Sequence, residues 1–140
     1  MRKTLITAAA LVALVGVAHA ETRNLANFTG VSAADRIHVE VATGESYRVE
    51  VTGSEADKVT TRIDDGTLVI RRTNRPLFGG TPPIDATVRV TLPHVENLAS
   101  SRGAELTATN VTADSVALAA SMGGELRVTG TCDTVDVAVS

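Results

Sequence analysis

Two tripeptides of the same composition could carry chemistry: His38-Val39-Glu40 and His94-Val95-Glu96. On a strand, residues i and i+2 project from the same face. Each tripeptide could therefore offer an imidazole nitrogen and a carboxylate to one metal ion. If the two strands were neighbours, four ligands would converge. The plainer reading is two polar strand faces, because a metal site also needs matched geometry and supporting hydrogen bonds that spacing does not supply. The expectation is accordingly no metal and no cofactor. No G-x-S-x-G elbow, phosphate loop or Cys-x-x-Cys pair occurs in the chain. No catalytic residue is expected, and the chain reads as a non-enzyme. The lone cysteine, Cys132, cannot close an intrachain disulfide. It is either a reactive or bridging thiol or, more simply, a small residue in a turn or core wall.

The elements that position these residues begin after a leader. The chain opens with basic Arg2 and Lys3, continues with the apolar run LITAAALVALVGVA and reaches Ala18-His19-Ala20. This is the form of a secretory signal cleaved after Ala20, and the run is shorter than the roughly 20 apolar residues of a membrane span. Residues 1–20 are read as the signal peptide and 21–140 as one domain, exported to the periplasm or cell surface. Loss of Arg2 and Lys3 moves the net charge from −3 to −5. That acidic balance and the scarcity of aromatics (Phe28, Tyr47 and Phe78, with no Trp) argue against a nucleic-acid partner.

From Arg36 to Leu92 apolar and polar residues alternate. Ile37, Val39 and Val41 oppose Arg36, His38 and Glu40; Tyr47, Val49 and Val51 form a second row; Ala86, Val88, Val90 and Leu92 form another. Period two specifies strands with one dry and one wet face. Asp64-Asp65-Gly66 is turn chemistry. Single helical turns are expected at most near Ser32 and Ser54. Asn74 to Pro83 holds two Gly and three Pro and must be a loop. With Arg71, Arg72 and Arg75 it could bind an anion, though a solvated loop explains it equally well.

After Val95 the rhythm changes. Ser100-Ser-Arg-Gly-Ala-Glu-Leu106 returns as Ala120-Ser-Met-Gly-Gly-Glu-Leu126, an offset of twenty, and Ser115–Ser121 matches Thr134–Ser140 at nineteen. The missing residue is expected in the turn between Asn110-to-Ser115 and Gly130-to-Thr134. Such a period is a β-solenoid signature, with equivalent residues stacked. Leu106 is expected beneath Leu126, Val116 beneath Val135 and Leu118 beneath Val137. Glu105 and Glu125 would stack too and must face solvent or a cation.

On these residues the chain resembles a known family. The segments are RIHVEVATGESYRVEVTGSEADKVTTRIDDGTLVIRR, ATVRVTLPHVENLASSRGAELTATNV and the twenty-residue repeats, with VTLPHVENL the most telling. They are similar to the bacterial family described as putative auto-transporter adhesin, head GIN domain. The resemblance covers nearly all of 21–140. It implies a right-handed parallel β-helix in an exported, envelope-associated protein, with no catalytic residues to carry over.

The function expected is non-enzymatic: an exported β-solenoid with a structural or adhesive role in the envelope. The alternative is a protein that binds or acts on envelope polysaccharide, which should carry a stacked cluster of mixed acidic and basic residues. The candidate partners are envelope polysaccharide or a protein surface. Ser140 aligns with Ser121 and Ser101, part-way round a coil. A strand edge over Val135, Val137 and Val139 would then either be covered by further chain or self-associate.

Overall fold

The computed structural model describes residues 20–74 and 82–140, and within them the period-two segments become strands. They are β1 (Ala20–Arg23), β2 (Gly30–Ala33), β3 (His38–Thr43), β4 (Arg48–Thr52), β5 (Val59–Asp64), β6 (Thr67–Arg72), β7 (Thr87–Leu92), β8 (Asn97–Ser101), β9 (Glu105–Ser121) and β10 (Glu125–Val139). A single 3-10 turn, Ala56–Lys58, follows Ser54. Ser32 lies instead within β2. The dry rows fall where alternation places them: Val39, Val41, Val49, Val51, Ala86, Val88, Val90 and Leu92 are all buried. Apart from Ala20, the expected leader lies outside the described residues. So do Phe78 and most of the Asn74–Pro83 loop, with Arg75.

All ten strands join one sheet, in the order β1-β4-β7-β3-β9-β8-β2-β6-β5, and β10 pairs with β9 off this path. The expected right-handed parallel β-helix is therefore incorrect. In a solenoid every strand is followed, one coil later, by a parallel neighbour. Here β4 runs antiparallel to both β1 and β7, and β5 is antiparallel to β6. The result is a mixed, barrel-like sheet curled round a single core. The physical reason lies in the first half: short turns such as Asp65-Gly66 send strands straight back instead of round a coil.

The parallel portion follows the expected register in most places. Glu105 pairs with Glu125, Leu106 with Leu126, Val116 with Val135 and Leu118 with Val137. The offset falls from twenty to nineteen earlier than expected, between Val128 and Gly130. Asn110 takes up the extra residue of β9 with a left-handed φ of 56°. Opposite it, a side chain at Gly130 would place its Cβ 2.0 Å from the Val111 carbonyl oxygen. The shift therefore depends on glycine at that point.

Four corners share one backbone form, with two consecutive positive φ values: Asp35-Arg36, Asp65-Gly66, Arg102-Gly103 and Met122-Gly123. Positive φ at both central positions is the mark of a type I′ turn. The repeated small-Gly heptads are thus corners. Ala104 N–H closes one onto the Ser101 carbonyl at 3.1 Å, and Gly124 N–H closes the next onto Ser121 at 2.9 Å.

Inside the sheet one apolar cluster joins every layer, including Ile37, Val88, Leu68, Ile70, Leu98, Leu106 and Val116. Phe28 is fully buried in it and meets the Tyr47 ring at 5.1 Å between centroids. Burial fades towards β10. Leu106 is 1% exposed, whereas its stacked partner Leu126 only packs partly against the core. The two repeats therefore differ in energetic weight. Leu106→Ala should cost about 2–5 kcal/mol, the range for a buried leucine. Leu126→Ala should cost clearly less, as denaturant unfolding of both variants will show.

A polar clasp joins the end of β4 to the start of β7. Asp85 accepts hydrogen bonds from the Ser54 hydroxyl and, at 3.2 Å, from the Ser54 N–H. Glu55 accepts from Lys58 at 2.7 Å and from the Asp85 N–H at 3.1 Å, while its own N–H donates to the Asp85 carbonyl. The Lys58 hydrogen bond, then that of Asp85, holds the Glu55 carboxyl below its ordinary value. The Ser54 hydroxyl and N–H do the same for Asp85. Both pKa values are lower in the folded than in the unfolded chain. The clasp therefore stabilises the fold above the ordinary carboxylate range, and that contribution disappears as pH falls through the folded values. The melting temperature should drop on acidification below about pH 4, and less steeply in Glu55→Gln/Asp85→Asn than in the parent.

Candidate functional site

The strand order builds a broad polar face. Outward residues of β4, β7, β3, β9 and β10 fall into cross-strand rows set by the register. The first row reads Thr52, Thr87, His38, Glu105, Glu125. The second reads Glu50, Arg89, Glu40, Thr107, Arg127. The third reads Arg48, Thr91, Ala42, Thr109. Neighbouring strands in such rows lie about 4.8 Å apart.

Opposite charges neighbour one another along the second row and between rows. Arg89 Nε donates to Glu40 at 3.0 Å. Arg48 donates to Glu50 at 2.7 Å. Arg127 meets Glu125 through Nε at 2.8 Å and Nη2 at 2.6 Å. His38 stands between two carboxylates, with Nδ1 3.4 Å from Glu105 and Nε2 3.6 Å from Glu40. The Glu105–Glu125 pair was expected to face solvent or a cation: both residues are exposed, and Glu125 also meets the Arg127 guanidinium.

Two surface grooves follow the rows. One, of about 370 Å³, is lined by Glu40, Ala42, Arg89, Thr91, Thr107 and Thr109. The other, of about 150 Å³, is lined by His38, Glu105, Thr107, Glu125 and Arg127. They share Thr107, which lies between Glu40 and Arg127 in the second row. The charged groups remain wet: Glu40, Arg89 and Arg127 side chains are 45%, 65% and 75% exposed. Each pair in isolation contributes about 0–1 kcal/mol to folding. Such exposed donors and acceptors can make many weak, directional contacts. The face does not enclose a reacting group away from water.

The two His-Val-Glu tripeptides do not meet. The first lies on β3, within the rows just described. The second lies in the connection from β7 to β8, with His94 and Glu96 exposed either side of buried Val95. Glu96 accepts from the Thr29 hydroxyl at 3.1 Å and lines a separate groove of about 430 Å³ with His94, Thr112, Asp114 and Ser115. Among the described residues no group of three or more His, Cys, Asp or Glu side chains could hold a metal ion. Arg72 is committed to structure, with its N–H 3.4 Å from Asp35 and its guanidinium on the Pro82 carbonyl. Cys132 departs from the core-wall reading: it is exposed on β10, opposite Ala113.

The sequence reading missed Arg89 and Arg127 as members of one face with His38 and Glu105. The available signal was the outward parity of Arg89 on β7 and of Arg127 two residues after Glu125. What the sequence lacked was the neighbour relation of β7 and β9 to β3.

The family described as putative auto-transporter adhesin, head GIN domain, matches residues 27–140. The chain belongs to this family. Among solved structures, a putative adhesin from Parabacteroides distasonis superposes with a TM-score of 0.70 at 17% identity, covering 89% of this chain and 54% of its own. A putative adhesin from Parabacteroides merdae gives 0.71 at 15% identity, with 89% and 53% covered. A putative lipid binding protein, also from Parabacteroides distasonis, gives 0.56 at 13% identity, with 89% and 61% covered. At these identities the likeness is one of fold, and the chain spans roughly half to three-fifths of the length of those structures. No curated protein matches the chain.

Proposed function

We propose that this domain is an exported, non-enzymatic adhesive module of the cell envelope, and that it adheres through the polar face of β4, β7, β3, β9 and β10. The observation that carries this reading is the second row, where Arg89, Glu40, Thr107 and Arg127 lie side by side across four strands. Acid, base and hydroxyl groups at strand spacing suit a hydroxyl-rich polymer, whose own groups both donate and accept. Arginine adds bidentate contacts, and threonine adds hydroxyls on a stiff β-branched stem. Affinity would come from repetition along the polymer, since each exposed contact is weak. The family's adhesin description supports the adhesive role. The mixed acidic and basic row favours envelope polysaccharide as the partner. Location at the envelope is supported by the leader-like pattern of residues 1–20 and by the same family description.

Co-sedimentation of residues 21–140 with purified peptidoglycan sacculi and with insoluble capsular polysaccharide tests this reading. At least one should retain the protein. Arg89→Ala/Arg127→Ala should weaken retention by roughly tenfold or more, a change of about 1.4 kcal/mol. The same variant should melt within a few degrees of the parent, because exposed pairs contribute little to folding. Retention by neither polymer, or release of soluble sugar fragments during incubation, would contradict the reading.

A further inference from the structure

The rows of the polar face hold three cations, and each already has a carboxylate. Arg48 meets Glu50 at 2.7 Å, Arg89 meets Glu40 at 3.0 Å and Arg127 meets Glu125 at 2.6 Å. A fourth carboxylate, Glu105, is left over. Its side chain is 59% exposed, and its ionic neighbour among the described residues is His38, 3.4 Å away and charged only when protonated. With that imidazole neutral, the rows carry three positive and four negative charges, a balance of −1. The whole chain, at −3, has the same sign.

The groove of about 370 Å³ offers no spare charge. It lies on β7, β3 and β9, each of which has a strand on either side. Ala42, Thr91, Thr107 and Thr109 contribute methyl and hydroxyl groups, and Glu40 and Arg89 neutralise one another. Such a lining matches the C–H faces and hydroxyl rim of a sugar ring. A carboxylate or phosphate on the sugar finds no free counter-charge there. It must take Arg89 from Glu40, which strands Glu40, or lie beside the carboxylates of Glu40 and Glu105. Both courses bring like charges together.

We propose that the polysaccharide taken by this face is uncharged, and that Glu105, with Glu40, turns polyanionic chains away. The proposal rests on the adhesive reading above and names the class of polymer within it. Repulsion of the wrong partner contributes to specificity alongside contacts with the right one.

The test uses one backbone in two charge states: an insoluble capsular polysaccharide rich in uronic acids, native and with its carboxyls reduced to give the neutral sugar. Co-sedimentation of residues 21–140 is measured at about pH 8, above the range in which imidazole is ordinarily charged. The reduced polymer should be retained at least about fivefold more tightly than the native one. Raising salt to about 0.5 M should narrow the difference, because exposed charges are screened. Glu105→Gln should narrow it as well, by improving retention on the native polymer while leaving the reduced one and the melting temperature nearly unchanged. Equal retention on both forms, tighter retention on the native form, or a difference indifferent to Glu105→Gln would overturn the proposal and leave the adhesive reading standing. Retention on sacculi with none on either form would do the same. Retention on no polymer at all would remove the adhesive reading and this proposal with it.

Discussion

The fold depends on one strand pairing with two others along a single edge. Residues 105–109 of β9 lie against β3, and residues 117–121 lie against β8. β10 occupies the opposite edge over most of that length. Because β3 leads to β7, β4 and β1, while β8 leads to β2, β6 and β5, β9 is, among the described strands, the one that pairs with both arms of the sheet. The strand must bend between its two halves, and the left-handed Asn110 marks the bend. From there, Leu106, Ala108, Val111 and Val116 project into a core furnished by both arms. Closing the arms on each other is what makes alternating strands bury their dry faces. Apart from β9, each arm would be half of a core.

The corner between β2 and β3 is the matching device below β9. Asp35 and Arg36 both have positive φ without being glycine, a conformation that costs free energy and persists only where surroundings fix it. The surroundings are evident. The Asp35 carboxylate, 2% exposed, receives Arg102 at 3.3 Å and the Arg72 N–H at 3.4 Å. Arg36 N–H donates to the Arg102 carbonyl. A buried carboxylate is costly unless it is compensated. Here the compensation ties the first corner to the next one above it and to the end of β6. The inner side of the domain is thus organised by apolar rows and the Asp35–Arg102 ion pair, while the outer side carries exposed, mutually paired charges.

Much of this was legible in the residues. Alternation identified β3, β4 and β7 and their buried faces, because a half-wet strand writes its geometry at every second position. The twenty-residue similarity identified the β9–β10 pairing, because identical environments select similar residues. Two things were not legible. The first is that Ala33–His38 is the corner preceding Ser100–Glu105. Ala33 pairs with Ser100 and His38 with Glu105, yet Arg36 stands where Gly103 stands, and the intervening 67 positions conceal the match. The second is the overall architecture. The β9–β10 pairing suggested a solenoid throughout, but the sense of each return is set by strand order, which alternation does not encode. For the same reason the polar face remained hidden: Arg89 and Glu40 are 49 positions apart and 3.0 Å from contact-forming atom to atom.

Native-state hydrogen exchange followed residue by residue is the most direct measurement of the claim that β9 holds the arms together. The amides of β9 from Leu106 to Leu118 should be among the slowest in the protein and exchange only on global unfolding, together with those of β3 and β8. Amides in β1 and β5 at the ends of the path should exchange sooner, by local opening. The account is contradicted if the β3–β7 arm and the β8–β2–β6 arm exchange as separate units of different stability, with β9 opening before either.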